Sequence, residues 1–249
     1  MSAKDIILKP ITSTEANALV RKVHYSKKVA PNSQIHMGVF YNGKLEGALQ
    51  FGPSMDKRRT QGLVKGTAWN GFVELNRMAF SEALPRNSES RAISVALKML
   101  KKHAPHLDWV ISFADGTQCG DGTIYRASGF YLTNIKENRT ILKLPDGSIV
   151  ADKTLNNSNH AATGKNASYW KKNGAEPLSG FQLRYVYFLK PEAKERLTVP
   201  ILSFDEIGKV GARMYKGLRP ESIKSDASGF LPEESGATPT SGLHLNKEP

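Results

Sequence analysis

The sequence predicts an α/β fold in which one mixed central sheet is flanked by helices. Alternating apolar runs at Ile35–Tyr41, Lys44–Phe51 and Phe72–Phe80 have the period of half-buried strands, whereas Ile93, Ala96, Leu97 and Leu100 repeat at helical spacing. Trp109–Phe113 is short and almost wholly apolar, which suits a central strand covered on both faces. A helix thus lies between two strands, and a right-handed crossover is the expected connection.

The elements follow in order. Asp5–Lys9 is a short apolar strand. Thr12-Ser13-Thr14-Glu15 is a capping box: the Thr12 hydroxyl caps a helix and Glu15 reaches back. That helix runs to about Val23, with Leu19, Val20 and Val23 toward the core. His24-Tyr25 stands at its end, among Arg21, Lys22, Lys27 and Lys28. Asn42-Gly43 between two alternating runs predicts a type I′ hairpin turn. Asp56-Lys57-Arg58-Arg59 and the stretch to Gly66 read as an exposed basic loop. Alternation along Phe72–Phe80 puts Glu74 and Asn76 on one face and Arg77 on the other. Asn87 or Ser88 caps the next helix, with Glu89 in its first turn and Lys98, Lys101 and Lys102 late in it.

After Phe130 the pattern is mostly β. Arg139–Leu144 and Ser148–Val150 alternate across the turn Pro145-Asp146-Gly147. Lys153–Gly174 is a polar loop, Gln182–Leu189 a closing strand, Ala193–Leu197 a short element and Phe204–Tyr215 a final helix. From Arg219 the chain is rich in Ser, Gly, Pro and Glu, the composition of a disordered tail. The expected division is a core at 1–135, a sheet-completing segment with a basic insertion at 136–216, and a tail at 217–249.

The formal net charge of the 249 residues is +12, which favours an anionic partner, nucleic acid first. No apolar run is long enough to span a membrane, and the N-terminus lacks the pattern of a secretory signal. The single cysteine, Cys119, excludes an internal disulfide and suits a reducing cytoplasm; with no histidine paired to it, it reads as an incidental thiol.

Two groups of motifs carry a resemblance. Val73–Phe80 followed by Arg91-Ala92-Ile93-Ser94-Val95-Ala96 resembles the acyl-CoA-binding core of the GNAT acetyltransferases, a strand and then Gln/Arg-x-x-Gly-x-Gly/Ala opening a helix. Ser94 stands where the first glycine belongs. Arg86 offers a second register. Tyr125-Arg126-Ala127-Ser128-Gly129-Phe130 resembles that family's Tyr-x-x-x-Gly-Phe signature. The strand–helix–hairpin–strand–helix–strand order is also that of the acetyltransferase fold. A narrower resemblance covers nearly the whole chain. His24–Lys28, Leu45–Gly52, Glu74–Phe80 and Ser112–Gly116 resemble the Mom DNA-modification proteins of Mu-like phages.

The resemblance implies a GNAT-like mixed sheet with a basic β-rich C-terminal extension. It implies a bacterial-host enzyme that converts adenine in duplex DNA to N6-carbamoylmethyladenine and so shields phage DNA from restriction. Iron would be held by His24, Tyr25 and Asp115, the last just beyond an apolar strand, where α/β sheets bind ligands. Tyr125 would protonate a leaving thiolate. An acetyl-CoA-like donor would meet Arg77, Ser88, Ser90, Arg91 and Ser94, since a helix N-terminus and arginine both receive anions. DNA would contact Lys27, Lys28, Lys57, Arg58, Arg59, Lys165, Lys171 and Lys172, with Tyr169 or Trp170 stacking on a displaced base. Two alternatives stay open: an N-acetyltransferase acting on a protein or small amine, and an inactive DNA-binding module. A homodimer straddling DNA is a further expectation that no residue pattern specifies.

Overall fold

The structure, a computed structural model, describes residues 2–116, 120–157 and 162–211. Cys119, His160 and the tail from Arg219 lie outside the described residues. Within them a large sheet holds β1 (Ile7–Pro10), β2 (Ile35–Tyr41), β3 (Lys44–Gly52), β4 (Phe72–Phe80), β5 (Trp109–Asp115), β6 (Tyr131–Glu137) and β10 (Phe181–Phe188). A small sheet holds β7 (Ile141–Lys143), β8 (Ile149–Ala151) and β9 (Glu176–Pro177). The strand orders are β1-β2-β3-β4-β5-β10-β6 and β8-β7-β9. The principal helices are α1 (Ser13–Val23), α2 (Lys57–Gln61), α3 (Ser88–His103) and α4 (Thr123–Ala127).

Local chemistry sets much of this. Thr12 and Glu15 form the reciprocal capping box of α1: the Glu15 N–H donates to Thr12 Oγ1 at 3.2 Å and the Thr12 N–H to Glu15 Oε2 at 2.8 Å. Asn42 and Gly43, with φ of 49° and 76°, make the left-handed turn between β2 and β3. Apolar spacing on α3 buries Ala92, Ile93, Ala96, Leu97 and Leu100 against one face of the sheet, beside Val39, Leu49, Leu75, Val110 and Tyr185. The opposite face packs Ala48 under α1, and Phe72, Trp109, Ile111 and Val186 under Val64 and Ala193. It is called the α1 face below.

The β4–β5 pair is parallel; the other pairs are antiparallel. Its register covers only Phe72–Glu74 against Trp109–Ile111, so the two strands part beyond Glu74. A register shift opposes Leu75 to Phe51 and Arg77 to Gln50, which makes Asn76 the extra residue of a bulge. The bulge corrects the expected alternation: Arg77 comes round to the face of Gln50 and Glu74 rather than the opposite one.

Other segments differ from expectation for identifiable reasons. The basic stretch after Asp56 is partly helical, because the Asp56 carboxylate caps α2 by accepting from the Arg59 N–H at 3.2 Å. The polar stretch after Lys153 contains helices at Asp152–Leu155 and Ala167–Lys172. They share a small core of Leu142, Leu144, Leu155, Ala167 and Ala175, apolar residues spaced too widely to show a period. β10 does not close the sheet at its edge but enters between β5 and β6. The final helix is Asp205–Lys209 among the described residues.

Candidate active site

The parting of β4 and β5 positions the site. Glu74 sits at its start, and the bulge at Asn76 turns Arg77 to the same face. Alternation from Ile111 and Phe113 gives Asp115, at the end of β5, that face too. His24 is the C-cap of α1, which packs on this face, and is buried. Its Nδ1 accepts from the Ser26 N–H at 3.2 Å and lies 2.9 Å from Ser26 Oγ, which leaves Nε2 as the outward nitrogen. Burial, then the charges of Arg77 and Lys27, push the imidazole down to about 4, so it is neutral near pH 7. Tyr25 is exposed, with its ring centroid 4.3 Å from that of His24.

Glu74 is the residue that motif reading did not assign to the site. Burial raises its carboxyl above the ordinary range, against hydrogen bonds with Ser54 and Asn76 and the charges of Arg77 and Lys153. Its sequence signal was faint, a carboxylate in phase with Phe72 on a largely apolar strand. Cations crowd around it. Arg77 Nε donates to the Lys28 carbonyl at 3.0 Å, and Lys28 Nζ donates to Thr154 Oγ1 at 3.1 Å, next to Lys153. On β10, Arg184 is drawn below its ordinary value by burial and by nearby Arg59.

The other expected residues are distributed as follows. Tyr125 is buried on the α3 face, 5.1 Å from Tyr185 and 5.4 Å from Phe130 between ring centroids. The structure therefore divides the expected catalytic set: His24, Tyr25 and Asp115 belong to the α1 side of the sheet and Tyr125 to the other. Ser88 is fully buried at the start of α3, and its hydroxyl has no partner. Ser90 Oγ donates to the Asn87 carbonyl at 3.2 Å. Arg91 and Ser94 lie within α3. The Arg91 N–H is taken by the Asn87 carbonyl, and Ser94 Oγ donates to the Ser90 carbonyl at 2.9 Å. The first-turn N–H groups of Glu89 and Ser90, with no intrahelical acceptor, are what the helix offers a phosphate.

Lys27, Lys28, Arg58 and Arg59 are exposed. Lys57 is half-buried, bound to Asn70 Oδ1 at 2.7 Å. On the small sheet, Lys165 and Lys172 are exposed, Lys171 pairs with Asp152 at 2.8 Å, Tyr169 is exposed, and Trp170 packs on the small core.

An iron ion is tested by the donors. A neutral histidine held by Ser26, a phenol and a carboxylate are nitrogen and oxygen ligands of the kind ferrous iron takes. Among the described residues no group of three His, Cys, Asp or Glu converges to hold a metal ion, and the set His24, Tyr25 and Asp115 rests on the resemblance alone.

Strand order and the single parallel pair define a mixed α/β fold. The chain belongs to the Mom protein family, which it matches over residues 5–206. The methylcarbamoylase Mom of Escherichia phage Mu is 35% identical over 202 residues, spanning 80% of this chain and 82% of that protein. Among solved structures, the chain is similar to an acetyltransferase from Bacillus subtilis in complex with CoA, with a TM-score of 0.44 and 13% identity over 74% of this chain and 97% of that one. It is also similar to the ribosomal-protein-S18-alanine N-acetyltransferase of Escherichia coli, with a TM-score of 0.42 and 10% identity over 74% of this chain and 94% of that one.

Proposed function

We propose that this chain modifies phage DNA in the bacterial cytoplasm, converting adenine in the duplex to N6-carbamoylmethyladenine and thereby blocking host restriction. The observation that carries the reading is a half-buried carboxylate, Glu74, flanked by Arg77 and Lys153 where two parallel strands part, in a chain of net charge +12. Membership of the Mom family and the name of the phage Mu relative support the chemistry.

Joining adenine N6 to the methyl carbon of an acetyl thioester breaks one N–H and one C–H bond and withdraws two electrons, which an oxidant such as dioxygen must accept; ammonia or an equivalent amine donor must displace the thiol to give the amide. Plain acyl transfer would instead attack the thioester carbonyl and give N6-acetyladenine. Glu74, made more basic by burial, is suited to take the N6 proton. Arg77 and Lys153 stabilise the carboxylate and bring anionic substrate to it. An acetyl-CoA-like donor supplies the two-carbon unit, with the first turn of α3 and Arg86 set to hold its phosphates. If His24, Tyr25 and Asp115 held an iron ion, it would supply the redox chemistry that activation of a methyl carbon requires. Tyr125, on the other face of the sheet, would protonate the departing thiolate.

Lys27, Lys28, Lys57, Arg58 and Arg59 track DNA phosphates beside this face, and Lys165, Lys172 and Tyr169 extend the surface. The test is mass spectrometry of nucleosides from plasmid DNA of bacteria expressing the chain. A carbamoylmethyl-adenosine species is expected. An N6-acetyl species, or unmodified adenine from folded protein, overturns the reading.

A further inference from the structure

The segment Ser54–Gly71 holds two large apolar side chains in water: Met55 is 75% exposed and Trp69 52%. Trp69 has a side-chain partner, and Met55 follows a hydrogen-bonded serine. The Ser54 hydroxyl bonds Glu74 and lies 3.1 Å from Thr60 Oγ1 on α2, so Met55 is one residue from a direct contact with the half-buried carboxylate. Trp69 packs under a cation, with Lys57 Nζ 4.6 Å from its ring centre, and Lys57 is itself held by Asn70. The backbone beneath is stapled to the sheet. Trp109 Nε1 donates to Thr67 Oγ1 at 3.0 Å, and the Asp108 N–H donates to the Gly71 carbonyl at 2.7 Å.

Charge surrounds these two side chains. The segment carries Lys57, Arg58, Arg59 and Lys65 against one carboxylate, Asp56, which is occupied in capping α2. Beside it lies an open groove of about 350 Å³, lined by Arg58, Gln61, Lys65, Gly66 and Thr198 without an acid. Apolar tips flanked by phosphate-matching cations are what a protein needs to enter a base stack. Such wedges are paid for by unstacking one step of the duplex.

We infer that Met55 and Trp69 form a wedge that enters double-stranded DNA and fills the space left by an adenine extruded toward Glu74. The inference rests on the proposed action on duplex adenine and adds how the base is reached. Met55 supplies the insertion, and Trp69 stacks on the neighbouring exposed base. The groove and α2 follow the adjoining phosphates.

The experiment uses the full chain, and duplexes in which each adenine in turn is replaced by 2-aminopurine, whose fluorescence rises on unstacking. The wild type should raise the fluorescence at one or more positions. Met55→Ala with Trp69→Ala should reduce that rise at least tenfold. It should also reduce modification of paired plasmid adenine, yet act nearly normally on adenine placed opposite an abasic site, where extrusion costs little. Met55→Leu should retain function, and both positions are exposed enough for the variants to fold. An unchanged rise in the double variant overturns the wedge, as does an equal loss on paired and abasic substrates. Unstacking by a wild type that leaves adenine unmodified supports the wedge and sinks the chemical reading. Modification without unstacking sinks the wedge alone, and absence of both sinks the two together.

Discussion

Arg77 Nε on β4 donates to the Lys28 carbonyl at 3.0 Å, so the strand bearing the half-buried Glu74 also holds the loop that follows His24. The same guanidinium donates to the Asn76 carbonyl at 2.7 Å and contributes to the low value of His24. One side chain thus links the bulge, the loop and the histidine's protonation state.

Replacing Arg77 by Ala should therefore do more than loosen a loop. The His24 titration should move up from about 4 toward its ordinary 6.5, short of it because burial remains. Stability should fall by about 1–3 kcal/mol from the lost hydrogen bonds. Imidazole NMR across the acid range checks the first point. An unmoved His24 titration would separate Arg77 from the histidine.

Glu74→Gln should abolish modification while raising thermal stability at neutral pH. The folded carboxyl lies above its ordinary 4.5, so its contribution to stability is intact below that pH and is lost as pH rises through the folded value. Melting curves of wild type and variant should converge in acid and diverge toward neutrality. A gap that widened in acid instead would reverse the sign of the shift.

Gly52→Ala tests the loop from the other side. A Cβ there would stand 2.4 Å from the Asn32 carbonyl oxygen and 2.8 Å from Asn76 Oδ1, so the backbone at Asn32 would have to move. A loss of about 1–3 kcal/mol in urea unfolding is expected. Activity should fall further than stability alone explains, because Asn76 forms the bulge.

Leu142→Ala should cost about 2–5 kcal/mol, as buried leucines do. Leu142 belongs to the small core, not the large one. Hydrogen exchange should accelerate across the small sheet while β4 and β5 keep their protection. Uniform acceleration would mean that the two sheets unfold as one.

Much of this was legible in the sequence because it was local. Thr12 and Glu15 announce α1, Asn42-Gly43 the hairpin, and alternation the strands β2 to β4. Three features were not, since each depends on residues far apart. The Asn76 bulge is set by pairing with Phe51 and Gln50 and leaves no mark in β4 itself. β10 enters the sheet between strands that precede it by some fifty residues or more, and nothing in Phe181–Phe188 names its neighbours. The small core joins Leu142 to Ala175 through residues with no common period. The site followed the same rule. His24, Asp115 and Tyr125 stood in recognisable motifs, but only the fold puts Tyr125 on the face away from His24 and draws Ser54 and Lys153 to Glu74.

The late entry of β10 bears on synthesis. Asp115 pairs with Gln182, and β6 reaches β5 only through β10. A nascent chain that has emerged as far as Glu137 has made the strands that carry Glu74 and Asp115 but cannot close the sheet around Asp115. The ribosome must deliver Phe188 first. An incomplete chain therefore lacks the assembled site, and the activity proposed for it is withheld until most of the protein has been made.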